Sequence, residues 1–261
     1  MSAGAILALK LVLTPLLVGL ASLAGRRWGS EVGGWLVGVP FTSGPIAFFL
    51  ALSPGPRFAA AAAAGIMAGT ASQAVFCLLY SWVASRGGGW GPSLIAATAG
   101  FLTATFLLNQ VFVPTWIAFA AIIAVLVVSI VLMPGRGKPG QESVVFPRWD
   151  IPARMAVATA FVVALTAVAP LLGPRLAGLV APFPLYATVH ATFAHRIQGA
   201  PPAIGVLRGL LLGLFAFAAF FLTLAELLAG QGIALAFVAA AAVLLVVQGG
   251  SLAVGRRLRL A

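Results

Sequence analysis

Runs of about 20 apolar residues follow one another along this chain, each long enough to cross a roughly 30 Å hydrocarbon core as a helix. That leaves few choices. In lipid every backbone N–H and C=O must find a partner within the protein, so spanning elements are helices or closed barrels, and runs this long are helices. Hydrophobic residues make up 62% of the 261 positions and charged residues 7%, which leaves no room for a soluble domain alongside. The sequence predicts an all-α fold, a polytopic transmembrane helical bundle of about nine spans in a lipid bilayer.

The first span covers about Ala3–Ala24 and ends at Arg26-Arg27. No basic region precedes it and further spans follow at once, so it does not read as a signal peptide. The next four are Gly33–Leu52, Phe58–Ser85, about Pro92–Asn109 and about Pro114–Met133. Spans six to nine are about Pro152–Leu172, Arg175–Ala194, Pro202–Ala229 and Ile233–Val254. The polar stretch 134–150, with Arg136, Lys138, Glu142, Arg148 and Asp150 among glycines and prolines, reads as a cytoplasmic linker. It separates a first membrane repeat of five spans, 1–133, from a second of four, 151–261.

The net charge of +11 sits at the span ends, which fits positive-inside topology and gives no reason to invoke nucleic acid. Twelve basic residues, from Arg26-Arg27 to Arg256-Arg257-Leu258-Arg259, fall on one side; only Lys10, Arg57 and Arg175 fall on the other. The expectation is a multi-pass inner (plasma) membrane protein, N-terminus outside and C-terminus cytoplasmic. Trp28, Trp90, Trp116 and Trp149 stand near span ends, as interfacial aromatics do. The single Cys77 excludes an intramolecular disulfide, and one cysteine with two histidines is too few for a structural zinc or iron–sulfur site. No cofactor or metal is expected.

Span two carries Pro40, Thr42, Ser43, Gly44 and Pro45 at its centre. A proline inside a helix removes a hydrogen bond and clashes with the preceding turn, so this crossing should be interrupted. Pro40-Phe41 recurs as Pro182-Phe183 in span seven, where Pro184 follows. Gly65 and Gly69 of span three align with Gly209 and Gly213 of span eight, each pair spaced to let helices approach closely. Each half reads as lead helix, interrupted helix, glycine-paired helix and following helix. The odd fifth span of the first half inverts the second. Inverted repeats with paired interrupted helices are the plan of many secondary transporters, with the site at the repeat interface. The alternative is a duplicated bundle in which the prolines only kink helices for packing.

The segment from Leu176 to Pro184, Leu-Ala-Gly-Leu-Val-Ala-Pro-Phe-Pro, with His190 downstream, resembles the signature of the GlpM-like small membrane proteins. The resemblance covers about a quarter of the chain, and the first half departs from it, with Thr42-Ser43-Gly44 after Pro40-Phe41 and Phe48 where His190 would align. It implies a fused, duplicated membrane protein, linked to export or to envelope polysaccharide, and names no substrate.

His190 is the leading candidate for chemistry. An ionisable group within a membrane span is costly and marks a functional site, and an ordinary pKa of about 6.5 suits it to carry a proton. The alternative is a neutral histidine bonded to a nearby carbonyl. Thr42, Ser43, Gly44, Pro45, Pro182, Pro184, Tyr186 and Thr188 surround the breaks and are candidate substrate ligands; the alternative is hydroxyls bonded back to their own helices. Gln73 in span three either faces the same cavity or joins helices. Glu226 is a candidate for proton coupling, against a carboxylate that snorkels at the interface, as Lys10 also would. Arg208 either draws an anion or anchors span eight, and His195 and Arg196 mark the interface.

An enzyme is not expected. Two histidines and four acids form no HExxH or paired-aspartate motif, and Ser43 with His190 would be a nucleophile–base pair without an orienting third group. The function read from the sequence is a secondary permease or exporter of a small solute, proton-coupled through His190. The alternative is a non-transporting scaffold or assembly subunit of an envelope complex. Glycine pairs leave a homo-oligomer open.

Overall fold

The computed structural model describes residues 3–40, 43–52, 55–111, 113–135, 147–160 and 183–257. All of its elements are helical: α1 Ala3–Trp28, α2 Ser30–Val37, α3 Ser43–Leu52, α4 Pro56–Ser85, α5 Trp90–Leu108, α6 Thr115–Leu132, α8 Leu185–Gln198, α9 Ala200–Leu227 and α10 Ile233–Arg257. Between α6 and α8 lies α7, residues 150–160. Among the described residues five helices are long and apolar enough to cross a membrane: α4, α5, α6, α9 and all but the end of α10. The second half of span six, the first part of span seven with Pro182, most of the linker, and Thr42 lie outside the described residues.

The predicted interruption of span two is present. α2 has eight residues and α3 has ten, with a turn at Gly38-Val39 between them. At 1.5 Å per residue they extend about 12 and 15 Å, together close to one hydrocarbon thickness. For span seven the described residues show only that Phe183 and Pro184 are non-helical and that α8 starts at Leu185. Each short helix then turns through a glycine at positive φ, Gly55 at 132° before α4 and Gly199 at 89° before α9. A side chain is strained at such angles, so glycine is the residue that allows the tight reversal. Proline follows among the first residues of both long helices, where its missing N–H costs nothing.

A few contacts fix the direction of the helices. Trp82 Nε1 donates to the Leu132 carbonyl at 3.0 Å, the Tyr80 hydroxyl is 3.2 Å from His195 Nδ1, and Arg208 Nη2 donates to the Pro134 carbonyl at 2.7 Å. The C-terminal ends of α4, α6 and α8 thus meet the first part of α9, so α4 and α9 run antiparallel. Arg26 reaches Asp150 at 2.8 Å and brings the end of α1 and the start of α7 to the same end of the bundle. Arg26, Arg27, Arg86, Arg148, Arg154 and Arg196 gather there, whereas Arg57, at the start of α4, belongs to the opposite end.

The core centres on α9, whose buried residues face α2, α4, α6, α8 and α10. Its glycines explain how. A methyl group on Gly34 would overlap the Val206 carbonyl, and one on Gly209 would overlap the Glu31 carbonyl. One on Gly38 would lie 2.6 Å from the Gly213 Cα. Gly34 of α2 and Gly38 just past its end therefore cross α9 at Val206, Gly209 and Gly213 backbone to backbone, the close approach that small residues permit. The predicted equivalence with Gly65 does not extend to packing: no described atom lies within 4 Å of a Cβ placed there. The halves are also interlaced, because α2 of the first packs on α9 of the second.

Gly34→Ala should separate α2 from α9, since the obstacle is backbone and cannot rotate away. We expect a loss of about 1–3 kcal/mol, read by thermal unfolding in detergent. Gly249→Ala, where a Cβ meets nothing within 4 Å, should leave the transition unchanged.

Candidate functional site

The buried ionic groups converge on the seam between α1, α7 and α8. Asp150 heads α7 and is 1% exposed, yet it ends in two guanidinium groups. Arg26 Nη2 donates to Oδ2 at 2.8 Å and Arg154 Nε to Oδ1 at 2.7 Å. Asp150 and Arg154 are four apart, the spacing that brings two side chains to one helical face. A buried carboxylate held this way needs each oxygen occupied, because desolvation otherwise outweighs the attraction. The sequence reading left Asp150 in the linker; the structure makes it the first residue of a helix, held by its partner one turn on.

Arg154 continues inward. Its Nη1 donates to the His190 carbonyl at 3.3 Å, and its guanidinium lies 5.3 Å from the centre of the Phe193 ring. The His190 side chain is buried, with both nitrogens engaged. Nδ1 is 2.9 Å from the Tyr186 carbonyl, which can only accept, so Nδ1 carries the proton. Nε2 of the neutral ring is then an acceptor, and Ser22, 3.1 Å away on α1, donates to it. One turn back, the Tyr186 hydroxyl donates to Thr14 at 3.3 Å. Polar groups therefore follow one another along one seam, from Arg26 at the basic end to Tyr186 beside the second break. Around them Val18, Ala158, Leu185 and Val189 form a small apolar core of their own.

The other predicted site residues are more dispersed. Ser43 and Gly44 open α3 and are buried, Gly44 facing Phe220 of α9 at 3.7 Å from a would-be Cβ. Pro45 is the third residue of α3. Phe183, ahead of Pro184, stands edge-on against Phe76 of α4 at 5.8 Å and Phe101 of α5 at 5.4 Å. The described neighbours of the two breaks are thus different helices. Thr188 donates back to the Pro184 carbonyl at 2.9 Å, the local bond that hydroxyls in helices often make. Gln73 is buried in α4, and Glu226 is exposed in the last turn of α9. Among the described residues, no three His, Cys, Asp or Glu side chains are grouped to hold a metal ion.

Ser22, Thr14, Asp150 and Arg154 are the site residues that sequence reasoning missed. The one usable signal was the i,i+4 spacing of Asp150 and Arg154; nothing local marks Ser22 or Thr14. Gln248 was missed as well. It is buried in α10, and its Nε2 donates to the Trp35 carbonyl at 2.9 Å, while Trp35 Nε1 donates to Ser251 at 3.2 Å. The main-chain acceptor at the end of α2 is therefore met by a side chain from α10.

No protein-family model, curated protein or solved structure matches the chain. The long apolar helices are compatible with an integral membrane protein. Removing the carboxylate at the centre of the seam should be felt strongly, because it leaves two guanidinium groups facing one another. Asp150→Ala is expected to cost about 3–5 kcal/mol, the usual loss when one partner of a buried ion pair is removed. Arg26→Ala, whose side chain is 30% exposed, should cost less. Chemical denaturation of the two variants in detergent gives the comparison.

Proposed function

We propose that this chain is a secondary permease of the inner membrane that moves a small polar solute, with the α1–α7–α8 seam as its polar route. The observation that carries the reading is the run of buried, interlinked polar groups from Arg26 through Asp150, Arg154 and His190 to Tyr186. Ionisable groups within a membrane protein are costly and are kept where they serve a pathway. His190 is the proton carrier in this reading. Taking up a proton at Nε2 reverses its bond with Ser22, from acceptor to donor, and places a cation near Arg154. Release then restores the neutral ring. That exchange gives the seam two states differing in charge, the difference by which a proton would bias alternating access.

The architecture supports the same reading. Short helix, positive-φ glycine, proline-led long helix and following helix occur in that order in both halves, as α3–Gly55–α4–α5 and α8–Gly199–α9–α10. With α4 and α9 antiparallel, this order supports an inverted repeat, and we extend the proposal to nine spans and a duplicated relative of the GlpM-like proteins. The positive-inside rule puts the basic end in the cytoplasm and the N-terminus outside. We do not assign catalysis to Ser22 and His190, which lie buried between helices. One observation favours the scaffold alternative: the described groups at both breaks pack against glycine backbone or phenylalanine rings.

Proteoliposomes loaded with a pH-sensitive dye test the proposal against a panel of amino acids, carboxylates and sugars. The expected result is a solute-dependent change of internal pH with the intact protein, lost in folded His190→Ala. Absence of solute flux with and without an imposed pH gradient would favour the scaffold.

A further inference from the structure

The Arg26–Asp150 ion pair has a consequence for the surface around it. It brings two sequence neighbours together, Arg27-Trp28 at the end of α1 and Arg148-Trp149 just before α7. Asp150 is occupied by Arg26 and Arg154; with Glu31 at the start of α2, two carboxylates stand at this end against the four guanidinium groups of Arg26, Arg27, Arg148 and Arg154. The stem of Glu31 touches α9, its Cγ 3.5 Å from a would-be Cβ of Gly205. Arg27 and Arg148 are exposed, and the corner keeps a net positive charge. Trp28 and Trp149 are also exposed, at 62% and 54%.

From this corner an apolar stripe runs along α1. Leu16, Leu20 and Leu23 are each more than half exposed and stand at helical spacing from Arg27, on one face. A basic head, two indoles at the level where indoles prefer to lie, and an apolar stripe leading inward match the parts of a lipid.

We propose that this corner binds an anionic glycerophospholipid, with Arg27 and Arg148 on its phosphate and an acyl chain along Leu20 and Leu23. The guanidinium fork matches phosphate oxygens in pairs, and basic corners on the cytoplasmic side of membrane helices take anionic headgroups. A free phosphate would gain nothing from the indoles or the leucine stripe, so the lipid is the occupant. The site does not depend on the permease reading.

Native mass spectrometry of the detergent-purified protein with added phosphatidylglycerol or phosphatidylcholine tests it. Phosphatidylglycerol should be retained about tenfold over phosphatidylcholine, a preference that Arg27→Gln with Arg148→Gln removes. Both side chains are exposed, and circular dichroism checks that the double variant folds. Arg86→Gln, at the same end but on α4, and Arg57→Gln, at the opposite end, should both keep the preference. Equal retention of the two lipids, a preference that survives the double variant, or its equal loss in Arg86→Gln would overturn the site. So would complete displacement of the lipid by millimolar inorganic phosphate.

Discussion

A buried peptide group has no water to bond with, and the interruption between α2 and α3 has to meet that constraint. Where α2 stops, the Trp35 carbonyl accepts from the Gly38 N–H and from Gln248 of α10. Past the break, the Gly44 N–H bonds back to the Pro40 carbonyl at 2.9 Å. Two of those bonds are local and the third comes from α10; separately, α2 lies directly on α9 because the facing positions are glycine. The crossing of α2 over α9 and the placement of α10 meet at this one broken helix.

The ionic seam obeys the same rule with larger energies. Charges taken out of water must be paired and also hydrogen-bonded. Asp150 meets this with a guanidinium on each oxygen, and Arg154 extends the arrangement by bonding to the backbone of α8. The result ties α1 of the first half to α7 and α8 of the second. The histidine beside it is held at both nitrogens, Nδ1 by the Tyr186 carbonyl and Nε2 by Ser22.

Much of the fold was legible in the sequence. Length and hydropathy alone mark α4, α5, α6, α9 and α10, and the prolines between Pro40 and Pro45 mark the break. The gathering of arginines at one end was legible too, because charge at span ends needs no tertiary information. The site was less so. His190 stood out as a histidine in an apolar run, but Ser22 and Thr14 look like any small polar residue until α1 is set against α8. Asp150 read as a loop residue because the proline-rich linker precedes it. Its role is fixed by Arg26, far away in sequence. Gly34 and Gly38 went unremarked because their partners are on α9.

The proposal at the centre is that the buried polar seam between α1, α7 and α8 is a route reached from the basic end. Substituted-cysteine labelling tests it directly. In a Cys77→Ala background, Ser22→Cys in sealed vesicles of known orientation is exposed to a membrane-impermeant maleimide from either side. Slow labelling from the side of the basic end alone is the expected result. Labelling from the opposite side, or a Ser22→Cys that stays protected while Gly44→Cys reacts, would contradict it.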